Sequence, residues 1–264
     1  GGAPAAAPAA ARKLRLLALC GYLQSAAVFR VKTGSLRKAC KSSAELVFVE
    51  PPHAAPAKPA GAEVEACDAG GAPEAPEQPA WWLAKEQLED ADSGVRPSLS
   101  RTYVGIEESL EMLEAELDRG SYDGVLGFSQ GAALAALLLA RRQARQRGAG
   151  GRPSRGPRFG VLFSGFVARD ERWAAALAET GPIDVPAMIV YGENDALVPT
   201  ERGQALADAF AEARLTTHVH AGGHGIPSGA PFRNDLKAFL AERLAEATAA
   251  EADAAAVAAE AVST

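Results

Sequence analysis

Residues 122–139, YDGVLGFSQGAALAALLL, carry the strongest structural signal in this chain. An apolar stretch runs into the pattern G-x-S-x-G around Ser129, and a series of small and apolar residues follows. This order predicts a strand, a sharp turn and a helix, which is the local structure of a nucleophile elbow. Glycines two positions either side of the serine avoid collisions with neighbouring backbone. Ser129 is therefore a candidate nucleophile, although the bare pattern also arises by chance in chains rich in Gly and Ala.

Strand and helix signals alternate along the chain, which predicts an α/β fold with a mostly parallel central sheet flanked by helices. Besides the strand before Ser129, apolar runs predict strands at residues 13–20, 46–49, 159–163, 187–191 and 215–220. Helical spacing predicts helices over residues 26–40, 101–118 and 232–244. In the second of these helices one face carries Ile106, Leu110, Leu113 and Leu117.

We expect one domain over residues 12–245, with a leader before it and a tail after it. Residues 1–11 contain only Gly, Ala and Pro, which predicts a disordered leader, and residues 246–264 form an Ala/Glu-rich tail. The sequence does not begin with Met, so a trimmed targeting peptide stays open. Two insertions are expected, a Pro-rich, lid-like one at 51–100 and an Arg-rich one at 141–158. We interpret the Arg-rich segment as a solvated loop in preference to a grip on an anionic partner.

Composition excludes several classes of function. The net charge of −6 argues against nucleic-acid binding, which needs a basic surface. No apolar run reaches the length of a membrane span. The three cysteines, Cys20, Cys40 and Cys67, are too few and too scattered for a disulfide framework, which favours a reducing, cytoplasmic location. Cys20 ends an apolar run, so we interpret it as a packed thiol.

A serine hydroxyl becomes nucleophilic when a base removes its proton and an acid orients that base. His224 is the candidate base, because glycines flank it in a loop after the last predicted strand. Asp195 is the candidate acid, directly after the strand at 187–191, and Glu193 is its close competitor. A structural role for Asp195, capping the turn before Pro199, is the alternative. The order Ser, Asp, His is that of α/β-hydrolases.

The remaining histidines fit the base role less well. His53 lies in the Pro-rich segment, and His218 and His220 point to one face of a strand. As a metal pair, the latter two lack a third ligand at useful spacing, so no metal site is predicted.

An oxyanion hole needs two backbone N–H groups. The residue after the nucleophile, Gln130, supplies one at a helix N-terminus, where the dipole also favours negative charge. The loop after the first strand supplies the second, and Tyr22 is our candidate. Trp81 and Trp82 either anchor the Pro-rich segment on the body or roof an acyl pocket, and with Phe166 they are candidates for an apolar substrate wall.

Several further motifs resemble the FSH family of serine hydrolases, small α/β-hydrolases of fungi and animals. The resemblance covers about residues 14–244 and rests on residues 21–25 (GYLQS), 32–34 (KTG), 81–82 (WW), 122–132 (YDGVLGFSQGA), 163–166 (FSGF) and 222–227 (GGHGIP). It implies an α/β-hydrolase fold, an esterase or thioesterase activity and a triad of Ser129, Asp195 and His224. The 51–80 segment, the Arg-rich insertion and the tail depart from the family pattern.

The resulting hypothesis is a cofactor-free carboxylic ester hydrolase that works through an acyl-enzyme on small-molecule apolar esters. A thioesterase acting on acyl-CoA or an acyl carrier is the second hypothesis, because the same triad serves oxygen and sulfur leaving groups. A non-catalytic interaction protein on a hydrolase fold is the third, and the complete triad order disfavours it.

Overall fold

The computed structural model describes residues 12–56, 78–90, 93–148 and 156–262. The predicted leader, Cys67 and parts of both predicted insertions lie outside these ranges. The strands of the described residues are β1 (Leu14–Leu19), β2 (Ala44–Phe48), β3 (His53–Ala54), β4 (Pro79–Ala80), β5 (Leu83–Ala84), β6 (Tyr103–Val104), β7 (Gly124–Phe128), β8 (Gly160–Phe163), β9 (Ala187–Gly192) and β10 (Leu215–His220).

The helices of the described residues separate these strands or follow them. They are α1 (Ala26–Lys32), α2 (Gly34–Cys40), α3 (Lys85–Glu89), α4 (Ile106–Arg119), α5 (Gln130–Gly148), α6 (Glu171–Thr180), α7 (Thr200–Ala207) and α8 (Ala230–Val262), with a short 3₁₀ helix at Glu212–Arg214.

Six parallel strands form the central sheet in the order β10-β9-β8-β7-β1-β2. α5 packs on β7 and β8 between α4 and α6, while α8 contacts β1 and α2. The predicted α/β-hydrolase architecture is thus confirmed. After β2 the chain returns to the other side of β1, so the strand order reverses between β1 and β7. Ligands of open α/β sheets bind at such a reversal, outside the carboxyl ends of the strands.

The first predicted helix is wrong in one respect, because residues 26–40 form two helices. The Thr33 hydroxyl donates a hydrogen bond to the Phe29 carbonyl at 2.8 Å, and the backbone at Thr33 turns to φ −85°, ψ 13°. The Thr33 N–H also donates to this carbonyl at 2.9 Å, and a threonine hydroxyl that shares the carbonyl of the preceding turn bends a helix. The predicted helix over 101–118 also begins later, at Ile106, after Gly105 adopts a left-handed φ of 87°.

The expectation of an Arg-rich loop from residue 141 is wrong for its described first part. Residues 141–148 are the last turns of α5. Glu114 on α4, whose side chain is only 7% exposed, pairs with Arg141 at 3.3 Å and with Arg145 at 2.8 Å. These ion pairs tie the end of α5 to α4, and basic residues suit a helix C-terminus.

The expected boundary between domain and tail at residue 245 is not seen in the described residues. α8 continues to Val262, and Ala247 is buried. Arg12 pairs with Glu251 at 2.8 Å and with Asp123 at 2.7 Å, so the first part of the tail is attached to the sheet. Within the described ranges, no helix is long and apolar enough to cross a membrane.

Candidate active site

Ser129 lies on the turn between β7 and α5 with a left-handed φ of 52°. Its N–H donates to the Phe163 carbonyl of the neighbouring strand at 2.8 Å, which fixes the turn on the sheet. A Cβ at Gly127 would lie 2.5 Å from the Ala132 Cα, and one at Gly131 would lie 2.4 Å from the Cys20 carbonyl oxygen. Only glycine fits at these two positions, as the elbow interpretation requires.

The Ser129 hydroxyl lies 2.9 Å from Nε2 of His224, although the two residues are 95 positions apart in the chain. Both residues are half-buried. The His224 ring packs against Phe128, with 5.0 Å between ring centroids. The serine hydroxyl is therefore within proton-transfer distance of an imidazole whose ring is held by packing.

Asp195 completes a hydrogen-bonded chain. Its Oδ2 lies 2.7 Å from Nδ1 of His224, and its carboxylate has no exposed surface. Its Oδ1 accepts the backbone N–H groups of Leu197 at 2.9 Å and Val198 at 2.8 Å. The two roles weighed for Asp195 are thus both present, one on each oxygen, since the turn-capping oxygen orients the oxygen that faces the imidazole.

The electrostatics of Asp195 favour the carboxylate. Burial alone raises its pKa, but hydrogen bonds from His224 and from the Val198 and Leu197 amides outweigh burial and lower the pKa below the ordinary value. A buried carboxylate on Nδ1 fixes the proton of the neutral imidazole on that nitrogen, which leaves Nε2 free to accept the serine proton.

Neighbouring backbone positions the loop that carries His224. The Asn194 N–H and side-chain amide donate to the carbonyls of Gly222 at 3.1 Å and Ala221 at 2.7 Å. A Cβ at Gly192 would lie 2.3 Å from the Gly222 carbonyl oxygen. Glu193, the competing acid, is exposed, and the oxygen that faces Nδ1 of His224 belongs to Asp195.

The two predicted oxyanion-hole residues lie on segments that touch. The close approach of Gly131 to the Cys20 carbonyl brings the start of α5 against the loop after β1, which carries Tyr22. In that loop the Gly21 N–H donates to the Gln24 side chain at 3.2 Å, and Leu23 has a left-handed φ of 61°. No acceptor is found among the described residues for the backbone N–H of Tyr22 or of Gln130.

The three residues predicted to form an apolar substrate wall are more deeply buried than expected. Trp81, Trp82 and Phe166 are 0%, 0% and 1% exposed, so all three are core residues. Trp82 stacks on Tyr103 and meets Phe166 edge to face. Sequence patterning could not separate an anchor from a pocket roof, and the burial supports the anchor.

Other candidate groups lie away from this chain of hydrogen bonds. The Cys20 thiol is buried and contacts the Gln24 carbonyl, and burial raises its pKa, in agreement with a packed thiol. His218 pairs with Asp235 at 2.7 Å. Among the described residues no group of three or more metal-ligating side chains is assembled.

Two structural features near the site could not be predicted from the sequence. The Gln130 side chain is buried and bonds backbone groups of both tryptophans. Ser164, at the end of β8, has a left-handed φ of 47° and a fully buried hydroxyl. Both depend on which segments meet in three dimensions.

The chain is also similar to known proteins. Residues 10–236 match the family described as serine hydrolase (FSH1). The human protein named Esterase OVCA2 is 40% identical over 234 residues, which covers 88% of this chain and 97% of that protein. The chain therefore belongs to the FSH1 serine hydrolase family, as the sequence motifs predict.

Solved structures show the same fold at lower sequence identity. Arabidopsis thaliana SOBER1 matches with a TM-score of 0.55 at 18% identity, covering 88% of this chain and all of that one. Acyl-protein thioesterase 2 of Zea mays matches with a TM-score of 0.53 at 18% identity, covering 89% and 96%.

Proposed function

We propose that this serine hydrolase cleaves carboxylic esters with apolar acyl or alkyl groups through an acyl-enzyme on Ser129, without a cofactor. The observation that carries the proposal is the hydrogen-bonded chain from the Ser129 hydroxyl through His224 to the buried Asp195 carboxylate. The name of the human relative, an esterase, supports the same class of substrate.

In the proposed mechanism, Ser129 Oγ attacks the ester carbonyl while Nε2 of His224 removes the hydroxyl proton. The imidazolium then donates that proton to the leaving alcohol as the carbon–oxygen bond breaks, which leaves an acyl group on Ser129. Water attacks this ester with His224 again as base, and the carboxylic acid is released. Asp195 holds the ring and stabilises its cation in both halves.

The negative oxygen of each tetrahedral intermediate is proposed to accept the N–H groups of Tyr22 and Gln130. The latter begins α5, a helix of 19 residues whose dipole favours negative charge at that end. Each such donor is worth about 3 kcal/mol of barrier.

Apolar substrates are proposed because half-buried apolar side chains occur on the three loops that carry the reacting groups. Leu23 lies beside Tyr22, Leu197 follows Asp195 by two residues, and Ile226 follows His224 by two. These residues replace the buried Trp81, Trp82 and Phe166 as candidates for direct substrate contact.

The proposal is tested with p-nitrophenyl esters of increasing acyl length and with a fluorophosphonate probe. We expect turnover to rise from acetate to medium chains and the probe to label Ser129, with Ser129→Ala abolishing both. Labelling without turnover of any ester would contradict the esterase assignment, and unlabelled protein would favour a non-catalytic role.

A thioesterase is the second candidate, supported by the fold shared with the maize acyl-protein thioesterase 2. A matched pair of substrates, one oxoester and one thioester with the same acyl chain, separates the two. A kcat/KM more than about 10-fold higher for the thioester, a difference of about 1.4 kcal/mol, would reverse the preference.

A further inference from the structure

Gln130 follows the proposed nucleophile in the chain, and its side chain is buried, with only 2% of the residue exposed. Its Oε1 accepts the backbone N–H of Trp81 at 2.9 Å, and its Nε2 donates to the carbonyl of Trp82 at 2.8 Å. A carboxamide is the side-chain group that offers an acceptor and a donor side by side, so this contact specifies Gln or Asn chemistry.

Residues 79–87, which include both tryptophans, contact the loop after β1 at three points. The Leu23 N–H donates to the Pro79 carbonyl at 2.9 Å. The Trp81 indole N–H donates to the Cys20 carbonyl at 2.8 Å, and the Tyr22 hydroxyl donates to the Gln87 side chain at 3.2 Å. Residues 79–87 thus form a brace that supports the loop after β1 along its length. The Gln130 side chain attaches this brace to the start of α5.

The loop after β1 needs such support because its backbone is strained. Leu23 holds a left-handed φ of 61°, which costs a non-glycine residue energy and persists only when surrounding contacts enforce it. A Cβ at Gly21 would lie 2.9 Å from the Phe128 ring, so this loop packs closely on the last residue of β7. A small displacement of the loop would move the Tyr22 amide relative to the Gln130 amide.

We propose that the Gln130 side chain is a positioning residue, which holds the Cys20–Gln24 loop through Trp81 and Trp82 and so aligns the two amides of the oxyanion hole. This inference rests on the proposed function. It assigns Gln130 two separate tasks, a backbone N–H directed at the substrate and a side chain directed at the brace. The two buried tryptophans then affect the reaction by positioning the loop after β1, without contacting the substrate.

The same helix provides a matched control. Gln143 is 8% exposed and also bridges two backbone groups, since its Nε2 donates to the Pro182 carbonyl at 2.9 Å and its Oε1 accepts the Asp184 N–H at 2.7 Å. It lies 13 positions further along α5, at the amino-terminal side of β9 and away from Ser129. Gln130→Met and Gln143→Met each remove one buried two-point amide contact at similar volume.

The test compares kcat, KM and binding of an alkyl boronic acid, which forms a tetrahedral adduct on the serine. We expect Gln130→Met to lower kcat and boronate affinity about 10- to 100-fold, because misplacing a catalytic group by about 1 Å has effects of this size. We expect KM to stay within about 3-fold, since the lost interaction acts in the transition state. Gln143→Met should lower the melting temperature comparably and leave kcat within about 2-fold.

Unchanged kcat in Gln130→Met, or an equal loss of kcat in Gln143→Met, overturns the inference. Should Gln130→Met fail to fold, Tyr22→Phe decides, because it removes only the hydroxyl bond to Gln87. A kcat reduced about 3-fold at constant KM supports the brace, and an unchanged kcat overturns it. Ser129→Ala separates this result from the proposed function, because activity that survives in Ser129→Ala sinks the proposed function itself.

Discussion

Ser129 and Ser164 occupy equivalent positions at the carboxyl ends of the adjacent strands β7 and β8. Both have a left-handed backbone, with φ of 52° and 47°, and both donate their N–H to a carbonyl of the next strand, at 2.8 Å and 2.7 Å. The Ser129 hydroxyl faces an imidazole and is partly exposed. The Ser164 hydroxyl is fully buried, with no hydrogen-bond partner among the described residues.

A strained backbone at a strand end does not by itself bring a base to a serine hydroxyl. What distinguishes Ser129 is the base that a distant loop brings to it and the access that substrate needs. The local sequences are also similar, with F-S-Q-G at residues 128–131 and F-S-G-F at residues 163–166. The glycine at position 127 separates the two patterns, because Leu162 occupies the corresponding position before Ser164.

The largest effect is expected from removing each hydroxyl in turn. Ser129→Ala should lower kcat by about 10⁵-fold or more, since loss of a nucleophile costs this much in serine hydrolases. Ser164→Ala should keep kcat within about 3-fold, because its hydroxyl contacts neither base nor substrate. Steady-state ester hydrolysis measures both, and a large loss in Ser164→Ala would break the distinction.

The next effect concerns Asp195, the proposed acid that orients the base next to Ser129. Asp195→Asn should lower kcat about 10⁴-fold, because an amide no longer holds the imidazole in the tautomer that accepts the serine proton. Glu193→Gln is the matched control on the same loop, and we expect less than about 3-fold change because Glu193 is exposed. If the two variants exchange these effects, the acid is Glu193.

Replacing either strained serine by glycine should raise the stability of the fold, even where activity is lost. Ser164→Gly relieves a left-handed conformation and removes a buried hydroxyl that lacks a partner, so we expect a gain of about 1 kcal/mol in the free energy of unfolding. Ser164→Ala removes only the hydroxyl, so it measures the part of this change in unfolding free energy that the hydroxyl causes. Ser129→Gly should also stabilise the fold while it abolishes activity, as strained active sites predict. Urea denaturation measures all three, and a destabilised Ser164→Gly would contradict the strain argument.

The smallest effect is a dependence of stability on pH. The pKa of Asp195 is lower in the folded protein than its ordinary value of 3.8, so its ionised form stabilises the fold above that pH. This contribution is lost as the pH falls through the folded-state pKa. The stability difference between wild type and Asp195→Asn should therefore shrink as the pH falls below about pH 4. The difference between wild type and Ser164→Ala should not change over the same range, and denaturation curves from pH 3 to 7 compare them.

Much of the sheet and the elbow could be predicted from the sequence because the signals are local. Glycines at 127 and 131, an apolar strand and a small-residue helix describe β7 and α5 without reference to the rest of the chain. The break at Thr33 and the extension of α5 past residue 141 could not be predicted this way. The first is a departure of the Thr33 backbone from helical angles, which apolar spacing does not signal, and the second goes with ion pairs to Glu114 of another helix.

The α/β fold, the family and the residue types available for catalysis follow from the sequence alone, because backbone periodicity, turn chemistry and motif spacing are short-range properties. Three outcomes required the folded chain: which carboxylate faces His224, that Trp81 and Trp82 are buried supports, and that the Gln130 side chain attaches their segment to the start of α5. Those outcomes depend on distances between residues 29 to 61 positions apart in the chain, and such distances are fixed only when the parallel strands align and the core packs.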